Sequence, residues 1–110
     1  SLGDGVSSKS ADYTCVMADV DPRRKILHPS TDANARTFTI DSNANVAYPI
    51  GTAITFINET SQVVTIAITS DTMTLAGTTT TGSRSLAQNG IATAIKKGTT
   101  SWLISGTGLS

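Results

Sequence analysis

The stretch Phe38–Ile68 limits the fold of this chain more than any other part. Val64, Ile66 and Ile68 alternate with Thr65, Ala67 and Thr69, and Ile54 and Phe56 alternate around Thr55. A period of two puts successive side chains on opposite faces, so both runs read as half-buried strands. Between them Asn58-Glu59-Thr60-Ser61-Gln62 is short and polar, which predicts a hairpin loop joining two antiparallel strands.

The same pattern recurs on both sides. Tyr13 to Met17 reads as a first strand, and Pro22 ends the turn that follows by removing an amide donor and extending Asp21. Ile26-Leu27-His28 is a short strand closed by Pro29, and Arg36 to Ile40 is another with Phe38 and Ile40 inward. Pro49 marks a bend and Gly51 a position suited to positive φ before the central strands. Met73 to Ala76 is a short strand, Thr78–Gly82 a projecting loop and Gln88-Asn89-Gly90 a turn. Gly90 to Lys97 and Ser101 to Ser105 form a terminal hairpin around Gly98-Thr99-Thr100. No segment keeps a helical period for more than a turn or two. The expectation is an all-β fold of short antiparallel strands, a small β-sandwich, jelly-roll-like or barrel domain. Residues 1–12, rich in Gly and Ser with only Leu2 and Val6 as larger apolar residues, read as a flexible N-terminal arm on a single β-domain of 13–110. The arm is either plain terminal disorder or a segment that orders on a neighbouring subunit.

At 110 residues the chain is one domain. Lys and Arg number 8 against 8 Asp and Glu, which argues against a basic nucleic-acid surface over the whole chain. Charged residues make up only 15 %, and threonine is the commonest residue. Such a hydroxyl-rich surface suits a protein docked in an assembly, and equally an ordinary Thr-rich β-domain. The single cysteine, Cys15, rules out an internal disulfide and a multi-cysteine zinc site. Its apolar neighbours make it a small buried hydrophobe, and the expected folding compartment is a reducing cytoplasm. No run is long enough to span a membrane. Ser1 is the kind of small residue left after loss of an initiator methionine, so the reading expects a complete short protein.

Little in the sequence points to catalytic chemistry. Seven of the eight acids fall in the arm or in turns, where aspartate serves the backbone, and no two form an acid/base couple. No nucleophile elbow, P-loop or dinucleotide fingerprint is present. Asp19-Val20-Asp21 lacks the later glycine and glutamate of a calcium loop. His28, the only histidine, has no evident carboxylate partner or metal-ligating company, and is read as a turn residue whose ring satisfies nearby backbone groups. The expectation is a protein that is not an enzyme and binds no cofactor or metal. Trp102, the only tryptophan, is expected to close the core or anchor a subunit contact, with ligand stacking as the other option. Arg23-Arg24-Lys25 is the one cationic cluster, either a solvated loop edge or a docking contact.

Several segments together suggest a family. They are Ala11-Asp12-Tyr13-Thr14, His28-Pro29-Ser30, Arg36-Thr37-Phe38-Thr39-Ile40 and Tyr48-Pro49-Ile50-Gly51 running on to Asn58. Thr65 to Ile68, Leu75-Ala76-Gly77, Gly82-Ser83-Arg84, Asn89 to Thr93 and Trp102 to Gly106 complete the series. Over residues 11–110 it resembles a β-domain of virion proteins of tailed bacteriophages, found in head decoration, tail and fibre components. The resemblance implies a structural or adhesive role, commonly as a homotrimer, and offers no catalytic residues. A fibre would carry heptads or a repeated shaft, which this chain lacks. The resulting expectation is a capsid decoration or cement protein on the exterior of a phage head, made in the host cytoplasm. Its expected partners are the major capsid protein and copies of itself, with no nucleic acid and no membrane. Leu2, Val6, Arg23, Arg24, Lys25 and Trp102 are the candidate contact residues. The rival is a receptor- or glycan-binding tip domain of a tail needle or fibre, using Thr78–Gly82 with Tyr48 or Trp102 as a stacking surface. A lectin-like module of a cellular protein is a third reading.

Overall fold

The computed structural model describes residues 6–110. It is all-β, and no α-helix occurs among the described residues. Among the described residues nine strands follow one another: β1 (Val6–Ser8), β2 (Tyr13–Thr14), β3 (Lys25–His28), β4 (Arg36–Ile40), β5 (Ala53–Asn58), β6 (Val64–Ile68), β7 (Thr72–Leu75), β8 (Arg84–Gly98) and β9 (Ser101–Leu109). A single 3₁₀ turn, Met17–Val20, separates β2 from β3.

Most strands lie where the alternation puts them, although β1 falls in the predicted arm and β8 begins at Arg84, ahead of the predicted turn; their partners differ from expectation. β5 and β6 do not pair with each other, so the central hairpin does not form. They lie end to end along β8, which runs antiparallel to both: Ala53–Asn58 against Ile95–Gly90, then Val64–Ile66 against Leu86–Arg84. On the other side of β5, β3 and then β1 stack in parallel; on the other side of β6, β4 and then β2 do the same. Each consecutive pair, β1–β2, β3–β4 and β5–β6, is thus one rung laid on the next. This is solenoid-like stacking, not the sandwich, jelly roll or barrel of antiparallel neighbours that was expected. The physical reason is that a period of two reports which face a side chain takes and nothing about the strand beside it. The loop after β5 turns inward as a corner because Asn58 and Thr60 are buried and satisfy its backbone, as described below.

In-register stacking sets like against like, Ile26 beside Phe56, Phe38 beside Ile66 and Ile40 beside Ile68. The two ladders face each other across the core, where the rings of Phe38 and Phe56 stack with centroids 6.3 Å apart. β8 and β9 close the stack as the predicted terminal hairpin. β8 turns its small residues inward, Ala92 and Ala94, and its isoleucines outward, because the core on that side is already filled by Phe56, Ile54 and Ile104. Gln88-Asn89-Gly90 is not a chain reversal. It is a bulge within β8, between the part that serves β6 and the part that serves β5, with Asn89 at φ 60°. Gly51 has the positive φ expected of it, 96°. β7 pairs in parallel with the outer side of β9, Met73 beside Trp102.

Part of the segment predicted as an arm is bound to the sheet. Val6–Ser8 form β1 against β3, the Lys9 amide donates to the Leu27 carbonyl, and Asp12 accepts from the Thr37 amide at 2.9 Å. The remainder of the predicted arm, with Leu2, lies outside the described residues.

Candidate functional site

Three polar constructions stand out from the apolar core. The first sits at the corner between the second and third rungs. His28 ends β3 fully buried, and its Nε2 lies 2.9 Å from Asp32 Oδ2. Asp32 is held in turn by Arg36, whose Nε and Nη2 donate to its two oxygens at 2.7 and 3.1 Å, and by Asn34. The Arg36 guanidinium, then Asn34, hold the Asp32 carboxyl well below the ordinary carboxylate range. On the other ring face of the network, His28 Nδ1 meets Asn58 Oδ1 at 3.1 Å and Thr60 Oγ1 at 3.2 Å. Asn58 Nδ2 donates to the Gln62 and Leu86 carbonyls, tying the corner to β8.

The order Thr60, His28, Asp32 has the members of a nucleophile, base and acid chain. The Thr60 hydroxyl, however, is buried and also lies 3.1 Å from Asn58 Oδ1, while accepting the Gln62 amide. Its geometry is that of a corner lock, which satisfies buried backbone groups that would otherwise destabilise the fold. His28 therefore has the carboxylate partner that sequence reading missed. The available signal was the four-residue spacing of His28, Asp32 and Arg36. The segment containing Asp32 folds back through its amide bond to the Pro29 carbonyl.

The second construction surrounds the 3₁₀ turn. Asp19 is fully buried and accepts from the Tyr13 hydroxyl and from the Val16 amide, while Arg24 Nε lies 3.0 Å away. Burial, with Asp19 close by, pushes the Tyr13 hydroxyl and the Cys15 thiol far above their ordinary ranges. Cys15 is thus the buried, inert thiol expected.

The third lies at the far end of β8. Lys96 is 1 % exposed, and its Nζ donates to Asn43 Oδ1 at 2.7 Å and to the Tyr48 carbonyl at 2.8 Å. Tyr48 packs edge-on against Trp102 at 5.7 Å between centroids, and Asp71 accepts the Asn43 amide at 2.8 Å. Sequence reading placed Lys96 as one of two lysines ending a strand and gave it no role; its place between inward Ala94 and the turn was the only hint.

Of the predicted contact residues, Val6 and Lys25 are register partners on β1 and β3, with Arg23 and Arg24 just before Lys25, whereas Trp102 lies apart in the core. Val6 is exposed on β1, and Arg23 is exposed, its backbone amide donating to Asp21 and its side chain without a partner among the described residues. Arg24 is tied to buried Asp19, and the Lys25 ammonium donates to the Pro22 carbonyl. Trp102 is fully buried, so it closes the core and offers no surface to a partner. What sequence reading passed over is the outer face of β5, β8 and β9. Ile91, Ile95 and Leu103 are 51, 46 and 37 % exposed there, with half-buried Ile57, Thr55 and Thr93 among them. Ile95 pairs directly with Leu103, and Ile57 with Ile91. The alternation was visible, but the side facing the core was not.

Among the described residues no group of three or more His, Cys, Asp or Glu side chains is placed to hold a metal ion. No family model matches the chain, and no curated protein matches it.

Proposed function

We propose that this chain is a structural virion protein, a capsid decoration or cement protein that binds the outside of a phage head and stabilises the shell. One observation supports the reading beyond the resemblance in sequence: the outer sheet face carrying exposed Ile91, Ile95 and Leu103. Exposed aliphatic residues on adjacent, fully paired strands form a surface that gains from being covered. Binding the assembled shell and not its free subunits stabilises the shell by mass action. In this reading the protein acts without catalysis or cofactor, as a homotrimer, and its partner is the major capsid protein. Arg23 is the cation whose charge can be reversed without disturbing buried Asp19, so it is the surface probe for an acidic shell contact.

The rival, a receptor- or glycan-binding tip of a tail, keeps one observation in its favour: Thr78–Thr81 is exposed beyond β7. Its stacking surface is lost, because Tyr48 and Trp102 are both buried. Electron microscopy of particles carrying a labelled copy separates the two. Label distributed over the head, abolished by Ile95→Asp/Leu103→Asp in a variant with unchanged circular dichroism, is the expected result. Label confined to the tail would overturn the cement reading.

A further inference from the structure

Lys96 has an unusual environment. Its side chain is buried to 1 % exposure, yet Nζ meets only neutral oxygens, Asn43 Oδ1 and the Tyr48 carbonyl. Among the described residues no carboxylate forms an ion pair with it. A buried ammonium without a counter-charge is costly to a fold. The group it touches is an amide, and an amine lodged against an amide can exchange with it.

We propose that Lys96 and Asn43 join in an intramolecular isopeptide bond, with loss of ammonia. The Nζ lone pair adds to Asn43 Cγ and the Nζ–Cγ bond forms. The Cγ–Nδ2 bond then breaks, and Nδ2 leaves as ammonia carrying the one proton that the neutral amine gives up. Nothing is oxidised or reduced, and no co-reactant is consumed. If the lysine starts as an ammonium, its extra proton departs with the ammonia as ammonium ion, and the buried charge goes with it.

The geometry favours this pair. The Nζ to Oδ1 contact is 2.7 Å, and with a C=O bond of about 1.2 Å this puts the amide carbon roughly 3–3.9 Å from Nζ, a range that includes the near-attack separation of about 3–3.5 Å. Both partners are held. Lys96 is fixed in β8 through its amide bond to the Thr52 carbonyl and its carbonyl bond from the Gly51 amide. Asn43 is fixed by Asp71, whose buried carboxylate accepts the Asn43 amide at 2.8 Å. Asp71 is thus a positioning residue. Trp102, the register partner of Lys96, and Tyr48, packed on Trp102, wall the site with buried rings. The bond would staple β8 to the loop between β4 and β5, spanning 53 positions of the chain. The inference does not depend on the proposed virion role.

Intact-mass spectrometry of the purified protein is the test. The expected mass is below the calculated value by about 17 Da, one ammonia. A tryptic digest is expected to yield a branched peptide joining residues 37–84 to 85–97, uncleaved after Lys96. Lys96→Arg and Asn43→Ala are expected at full calculated mass, and Asp71→Asn to raise the unreacted fraction, which a purely structural role would leave unchanged. Full calculated mass in the unmodified chain would overturn the proposal. So would the same loss on a linear peptide, for example a succinimide at Asn89-Gly90.

Discussion

The His28 corner is held by one carboxylate. Asp32 takes two hydrogen bonds from Arg36, one from Asn34 and the contact of His28, and with them joins the end of β3 to the start of β4. Because its folded pKa is depressed, this contribution is fully present above the ordinary carboxylate range and is lost as the pH falls toward the folded value. The melting temperature of the natural chain is therefore expected to fall between about pH 5 and pH 2. Asp32→Asn is expected to melt lower at pH 7 and to lose much of that acid slope, as thermal melts across the range would show. An unchanged slope would place the acid sensitivity elsewhere. Of this corner, the sequence showed a lone histidine and a polar loop. The pairing was hidden because it depends on a loop folding back, and only the regular spacing of the three residues pointed to it.

At the scale of elements, β8 is the spine. It pairs with β9 along one side and with β6 and β5 in turn along the other, so most of the fold meets on it. The contact with β9 is tightest at Gly106. A Cβ there would fall 1.9 Å from the Ile91 carbonyl oxygen and 2.6 Å from Ala92 Cα, both backbone atoms that cannot swing aside. Gly106→Ala is expected to cost about 3 kcal/mol, the upper end for overpacking, measured by urea unfolding. A loss below about 0.5 kcal/mol, the range of ordinary surface changes, would show that β9 can part from β8 without consequence. Strand positions and inward faces at Phe38, Ile40, Ile54, Phe56, Val64 and Ile66 could be read from alternation, since burial of one face is a local property. Partnership could not. Asn58–Gln62 has the composition of a hairpin loop, and only the burial of Asn58 and Thr60 makes it a corner. Gln88-Asn89-Gly90 has the composition of a turn and is used as a bulge for the same backbone reason, a tolerated positive φ.

Considered whole, the molecule is a short stack of parallel rungs closed by one antiparallel hairpin, with its polar locks buried and an aliphatic sheet face outward. That combination places its chemistry inside, where it holds the fold, and leaves apolar area outside, where a partner can cover it. The contact residues chosen from sequence rested on composition, and composition cannot tell an exposed arginine such as Arg23 from one committed to a buried aspartate such as Arg24. The central claim is that the outward face serves a capsid. Its most direct test is co-sedimentation of the purified protein with phage heads that lack it, followed by the temperature at which those heads disrupt. Saturable binding with a raised disruption temperature, both lost in Ile95→Asp/Leu103→Asp, is the predicted result. Heads that bind no protein, or bind it without any gain in disruption temperature, would contradict the claim.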